Sequence, residues 1–567
     1  MKFLLALALG SLLASAASAA ELRVYTAKKI ITMEPALAEA TAVAVADGRI
    51  VSVGSLQSLQ PWLEGREVSI DRSLQDKVLL PGFIDPHVHP SLPAVLTQFP
   101  FLAPDDWVLP TGVFPGATTP RAYEARLKEL VAAHDNPALP FIAWGYHPLW
   151  HGQVYRPQLN EWFPDTPVML WHRSFHELIG NDAALAMLGI TEADTTGIHE
   201  SDWANGHFWE NGLKALVPKL PFLFEPARFG AGMGNFLEMA HLGGVTTVLD
   251  MGVGVFGNPG QEIALIRQVT EGRQAPLRII LTPIITDFLA RGKTPEQALA
   301  EIEQWQAQNS HQVRVENHFK LMLDGAIFSG LAQMGPPGYI DGHQGLWMAP
   351  LPVTTAWARF FWQRGYQLHA HTNGDASAAA FIDMLRTLQA EQPRLDHRFT
   401  LEHFAYSTED QSRQLQALGA LVSANPYYHY LLSDLYSELW LGEDRGSQMV
   451  RLGSLQRQGV PFALHSDSPM APLQPLTLAY NASNRVTING RHTGSEERIS
   501  LAAALRAITI DAAWIVGWED EIGSIRAGKR ADFTVLDADP YEVGAAGLRD
   551  IGIWGTVFAG VPYPLAP

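Results

Sequence analysis

Short apolar runs recur through the middle of this chain, and several of them end on a histidine or an aspartate. Eight such runs cover 79–85, 245–250, 277–281, 318–322, 366–371, 399–403, 420–424 and 461–465. They alternate with stretches of helical character, the pattern of a parallel α/β fold. Eight parallel strands is the TIM-barrel number. The expected fold is therefore α/β, a (β/α)8 TIM-like barrel over residues 81–515. In such a barrel the C-terminal ends of the strands form one rim, and that rim carries the chemistry.

Both ends of the chain read as β structure. Strand-like segments begin at Leu22, Ala42 and Arg49, and Asp47-Gly48 between the last two is a strong hairpin signal. Two more segments, Phe533 to Asp537 and Gly555 to Phe558, lie at the far end. Residues 21–80 and 516–567 are thus expected to form one small β-sandwich domain. Residues 90–244, after the first barrel strand, are too many for a structureless loop. They contain strand-like pieces at 141–144 and 168–171 and predict a subdomain inserted at the catalytic mouth.

At 567 residues, 47% hydrophobic and 17% charged, the chain has the profile of a large globular domain with a smaller one. A formal charge of -18 repels nucleic acid and anionic membranes, so neither is expected as a partner. Lys2, the apolar run Phe3 to Leu13 and the small residues Ala17-Ser18-Ala19-Ala20 read as a signal peptide over residues 1–20. The expected location is periplasmic or secreted, with no membrane anchor. The absence of cysteine excludes disulfides and thiolate ligands, so any metal must be held by histidine, carboxylate or modified lysine.

His87 and His89, in Asp85-Pro86-His87-Val88-His89, stand two residues apart on a strand end and so share a face. His371, His403 and Asp467 close or follow three later strands. Each has an ordinary reading alone: a core histidine, a helix cap, an Asx-turn. Their recurrence at strand ends favours a shared site. Lys320 lies inside a strand, where the residues alone favour an outward-facing lysine; facing inward, its charge would have to be paired or removed.

Pro81-Gly82-Phe83-Ile84-Asp85-Pro86-His87-Val88-His89 resembles the opening signature of the amidohydrolase superfamily, and Gly523 to Asp539 its closing one. The chain is more closely similar to the amidohydrolase-3 branch, which includes the YtcJ-like proteins and N-substituted formamide deformylases. Phe319-Lys320 with Asp324-Gly325, His371-Thr372-Asn373-Gly374-Asp375, Glu402-His403 and Ser466-Asp467-Ser468-Pro469 match its motifs in order. The resemblance implies two divalent metal ions, with zinc as the default and manganese, iron or cobalt as alternatives. It implies that His87, His89 and Asp467 hold the more buried ion and His371 and His403 the more exposed one. A carbamylated Lys320 would bridge them. Pro86 departs from the commoner Ser or Ala. His369, on the same strand face as His371, is expected behind the ligands.

The expected activity is cleavage of a non-peptide or cyclic C–N bond (amide, N-formyl or N-acyl) by a metal-bridging hydroxide, with Asp467 as general base and then acid. Ester, lactone or carbamate hydrolysis is the alternative, and a non-catalytic binding or regulatory protein ranks lowest because all six ligand positions are filled. His176 reads equally as an oxyanion partner and as a surface histidine. Trp144, Trp171 and Tyr427 suggest a small-molecule substrate with an apolar or aromatic portion. The resemblance also implies a homodimer.

Overall fold

The computed structural model describes residues 22–566, so the signal-peptide reading of residues 1–20 lies outside the described residues. The chain is mixed α/β. The eight apolar runs form the strands Phe83–Val88, Val245–Val253, Arg278–Pro283, His318–Met322, Gln367–Thr372, Thr400–His403, Leu421–Ala424 and Phe462–Leu464. The first three, joined by a short strand Val313–Val315, make one parallel sheet; the other five make a second parallel sheet in chain order. These strands are buried along almost their whole length, which is why they read as continuous apolar runs rather than alternating ones.

Parallel bridges link the two sheets at both open sides, Ile284 with Lys320 and Val88 with Ser468. At the second seam the backbones are stitched together: Asp467 N–H donates to His87 O at 2.9 Å and His89 N–H to Ser468 O at 3.2 Å. Asp85 completes the seam. Its buried carboxylate accepts the Ser466 N–H at 3.1 and 3.2 Å and the His87 N–H at 3.2 Å.

The two ends of the chain meet in one eight-stranded sheet. Phe533–Leu536 runs antiparallel to Val78–Pro81, which continues through Leu22–Ile31 to the hairpin of Glu39–Ala46 and Arg49–Gly54. Asp47 and Gly48 turn that hairpin with φ of 51° and 72°, the left-handed geometry a two-residue turn requires. Between His89 and Val245 lies a separate five-stranded sheet in which Phe141–Tyr146 pairs in parallel with Val168–His172. Arg173 anchors this insertion. It is buried, pairs with Asp105 at 3.1 Å and donates to the Met470 carbonyl at 2.9 Å, three residues beyond Asp467. Among the described residues no helix is long and apolar enough to cross a membrane.

The helix Ser91–Leu96 follows His89 directly and packs on the helix Pro226–Leu242. The contact is backbone to backbone, since a Cβ at Gly232 would lie 1.8 Å from the Ala94 carbonyl oxygen. A Gly232→Ala substitution forces the helices apart and is expected to cost about 1–3 kcal/mol of stability. Chemical denaturation measures it; a variant as stable as the parent would contradict the contact.

Candidate metal centre and active site

The strand period of two decides which residues face the interior. His318 and Lys320 share one face of their strand, and Gln367, His369 and His371 share one face of the next. Glu402 and His403 are adjacent and would ordinarily point to opposite sides. His403 and Phe404 have φ of 70° and 48°, a left-handed turn that swings the His403 ring inward as well. Asp467 also sits at positive φ, 55°. Such non-glycine conformations cost on the order of 1–3 kcal/mol and persist where surrounding structure holds them.

His87, His89, Lys320, His371, His403 and Asp467 all converge on one place. The Asp467 Oδ1 atom lies 3.4 Å from His87 Nε2 and 3.3 Å from His89 Nε2. Lys320 Nζ is 3.5 Å from the same His87 nitrogen, so this lysine faces inward. Opposite them, His403 Nε2 and His371 Nδ1 are 2.9 Å apart. His369 stands outside this cluster; its Nδ1 lies 2.7 Å from Glu402 Oε1.

Burial, first of all, holds His87, His371 and His403 well below the ordinary imidazole range, and the nearby Lys320 amine pushes in the same direction. These rings are neutral and present lone pairs. Burial pushes the carboxyls of Asp85 to about 7, Glu402 to about 8 and Asp250 well above its usual range. It also lowers Lys320 to about 8, against the opposing pull of Glu402, Asp467 and Asp250. Neutral imidazoles gathered with the Asp467 carboxyl make a donor set suited to divalent cations. His89 Nδ1 and Asp250 Oδ2, both buried, have no hydrogen-bond partner.

Two residues outside the expected set join the cluster. His465 Nε2 lies 3.3 Å from His403 Nδ1, and the donor atoms of His87, His403 and His465 fall within 4.8 Å of one another. Its signal was its place in the eighth apolar run. Tyr428 donates its hydroxyl to Asp467 Oδ2 at 3.2 Å and lies 3.2 Å from His403 Nδ1. Tyr427 was the expected contact, but neighbours on a helix point about 100° apart, and its hydroxyl donates to Asp105 at 2.8 Å, away from the site. Trp144 is likewise turned into the insertion core, against Phe101, Trp107 and Arg173.

A cavity of about 140 Å³ opens over the cluster. His89, Lys320, His371, His403 and Asp467 form its floor, while Trp171, Phe175, Phe256 and Met348 contribute apolar wall. Trp171 and His176 also line it. His176 Nδ1 lies 3.0 Å from both oxygens of Glu210, whose own N–H donates to the His176 carbonyl at 2.9 Å. Glu210 carried no motif in the sequence. It is buried at φ 43° and brought to His176 by the insertion's own pairing of Glu177 with Trp209.

Comparison with known proteins gives the same assignment. The amidohydrolase family model matches residues 72–563. The protein LONG AFTER FAR-RED 3 of Arabidopsis thaliana is 25% identical over 532 residues, covering 90% of this chain and 86% of its own. An N-substituted formamide deformylase of Arthrobacter pascens is 24% identical over 562 residues, covering 92% and 94%. A metal-dependent hydrolase from Pyrococcus horikoshii shares the fold, with a TM-score of 0.70, 19% identity and coverage of 93% of this chain and 99% of that one.

Burial tends to lower the His176 pKa, but the Glu210 carboxylate outweighs it and the net shift is upward. A histidine raised in this way adds stability in full below its ordinary value of about 6.5 and loses it as pH rises through the folded value. Glu210→Gln should therefore lower the His176 pKa in an NMR titration. It should also destabilise the protein more at pH 6 than at pH 9, because the charged His176 that Glu210 favours is populated only at the lower pH. An unmoved titration would mean that Glu210 does not set the charge on His176.

The chain belongs to the amidohydrolase family, in its amidohydrolase-3 branch.

Proposed function

We propose that this protein is an exported amidohydrolase that cleaves the C–N bond of a small non-peptide amide, N-formyl or N-acyl compound. The observation that carries the reading is the convergence of two donor groups about Lys320 on the floor of a small, largely apolar cavity. The relation to an N-substituted formamide deformylase supports that bond type. Export rests on the pattern of Lys2, Phe3 to Leu13 and Ala17 to Ala20. The two bridged parallel sheets are read as one closed (β/α)8 barrel over residues 81–515, with 90–244 inserted. The sheet built from 21–80 and 516–567 is read as the small sandwich domain.

His87, His89 and Asp467 would hold one divalent ion, zinc by default, and His371 and His403 a second. Such ions, when bound, polarise a carbonyl and lower the pKa of water. Lys320 is suited to lie between them as a carbamate. Its nitrogen would add to carbon dioxide and release one proton, which requires a neutral amine, and burial lowers its pKa to about 8. Asp467 would take the proton of the attacking water and pass it to the leaving nitrogen. Its second oxygen is oriented by the Tyr428 hydroxyl at 3.2 Å. His176, across the cavity and held by Glu210, would donate to the developing oxyanion. Trp171 and Phe175, stacked at 4.8 Å, supply an apolar wall for the acyl or amine portion.

The first test is metal content. The parent should retain about two ions per chain and Lys320→Ala fewer. One ion in both proteins would make the lysine structural and the site mononuclear. The second test is bond type. Asp467→Asn should cut amide turnover by about 10²–10⁴-fold and activated-ester turnover much less, because only the amine leaving group needs a proton. A metal-loaded parent that hydrolyses esters but no amide in a broad panel would overturn the proposal in favour of an esterase or lactonase.

A further inference from the structure

Behind the metal-competent residues, a second row of polar side chains runs down the interior. The Glu402 carboxyl lies between two imidazoles, 2.7 Å from His87 Nδ1 through Oε2 and 2.7 Å from His369 Nδ1 through Oε1. His369 Nε2 in turn meets His318 Nδ1 at 3.0 Å. All four residues are buried, and none of them lines the cavity. Apolar side chains would fill this space without the desolvation that three polar ones require. Their arrangement therefore calls for a role beyond filling space.

That role follows from the two nitrogens of His87. With Nδ1–H donated to Glu402, Nε2 keeps its lone pair and points to Asp467 Oδ1 at 3.4 Å and Lys320 Nζ at 3.5 Å. A glutamate held on one side only could rotate and carry the imidazole with it. His369 holds the other side, and His318 fixes the His369 ring. We propose that His369, braced by His318, is a positioning residue for His87, acting through Glu402 to aim the His87 Nε2 lone pair at the metal position. The inference rests on the metal-centre reading above.

The test compares His369→Leu, His369→Gln and the parent by zinc titration against a competing chelator and by the visible spectrum of the cobalt-loaded proteins. His369→Leu should lose about 10–100-fold in affinity and shift the cobalt bands. His369→Gln, whose amide can still face Glu402, should recover most of both. A folded Leu variant with parental affinity and spectrum overturns the proposal, as does a Gln variant that fails as badly as Leu. If the Leu variant does not fold, His318→Phe decides, with a several-fold loss expected and parental affinity overturning the brace. A parent that takes up neither metal overturns the metal-centre reading and this proposal together, and is recognised because the parent itself then fails.

Discussion

Asp85 is a carboxyl group shut away from water at the seam where the strand Phe83–Val88 meets the segment after Phe462–Leu464. It accepts the backbone N–H groups of Ser466 and His87, which strand pairing leaves unmatched there. His87 and His89 lie on one side of that seam and Asp467 on the other, so their meeting depends on it being closed. The positive φ of Asp467 is tolerated because its N–H and the neighbouring carbonyl of Ser468 are both tied to the His87–His89 backbone. The donor trio is thus a by-product of joining the first of these strands to the last, and needs no loop of its own.

The same constraint explains what can be read in the sequence. Strand ends were legible because buried parallel strands are short continuous apolar runs, and His87, His371, His403 and Asp467 stand where those runs stop. Lys320 was ambiguous for the opposite reason. A period of two gives two faces, and nothing local says which is inside; His318 and the register of Lys320 with His369 decide it. The inward turn of His403 next to Glu402 breaks strand alternation and leaves no trace in residue type. Tyr427 and Tyr428 are equally aromatic, and only the helix phase separates them. Glu210 reaches His176 through strand pairing within the insertion, a long-range fact.

The insertion and the strand rim divide the labour. The rim supplies donors on rigid strands, where small displacements would matter most. The insertion supplies the wall and the His176–Glu210 pair, and Arg173 clamps it to the segment that bears Asp467 through Asp105 and the Met470 carbonyl. Three aromatic rings, Trp107, Trp144 and Phe328, lie around the Arg173 guanidinium within 5.3 Å. The rings and the Asp105 carboxylate face the Arg173 charge, and the clamp ties the cavity wall to the strand rim.

The joint sheet made by the two chain ends has a consequence for the order of synthesis. The Phe83 N–H is satisfied by Thr534 Oγ1, a partner 451 residues later. While the chain is being made, Val78–Pro81 presents an apolar strand with one bare edge, and its partner Phe533–Leu536 does not yet exist. An unpaired edge of that kind invites pairing with another chain. A nascent molecule must therefore carry this hazard through nearly its whole elongation, and a truncation that removes only the last strands would leave a polypeptide with its donor residues intact and a sticky edge it cannot cover.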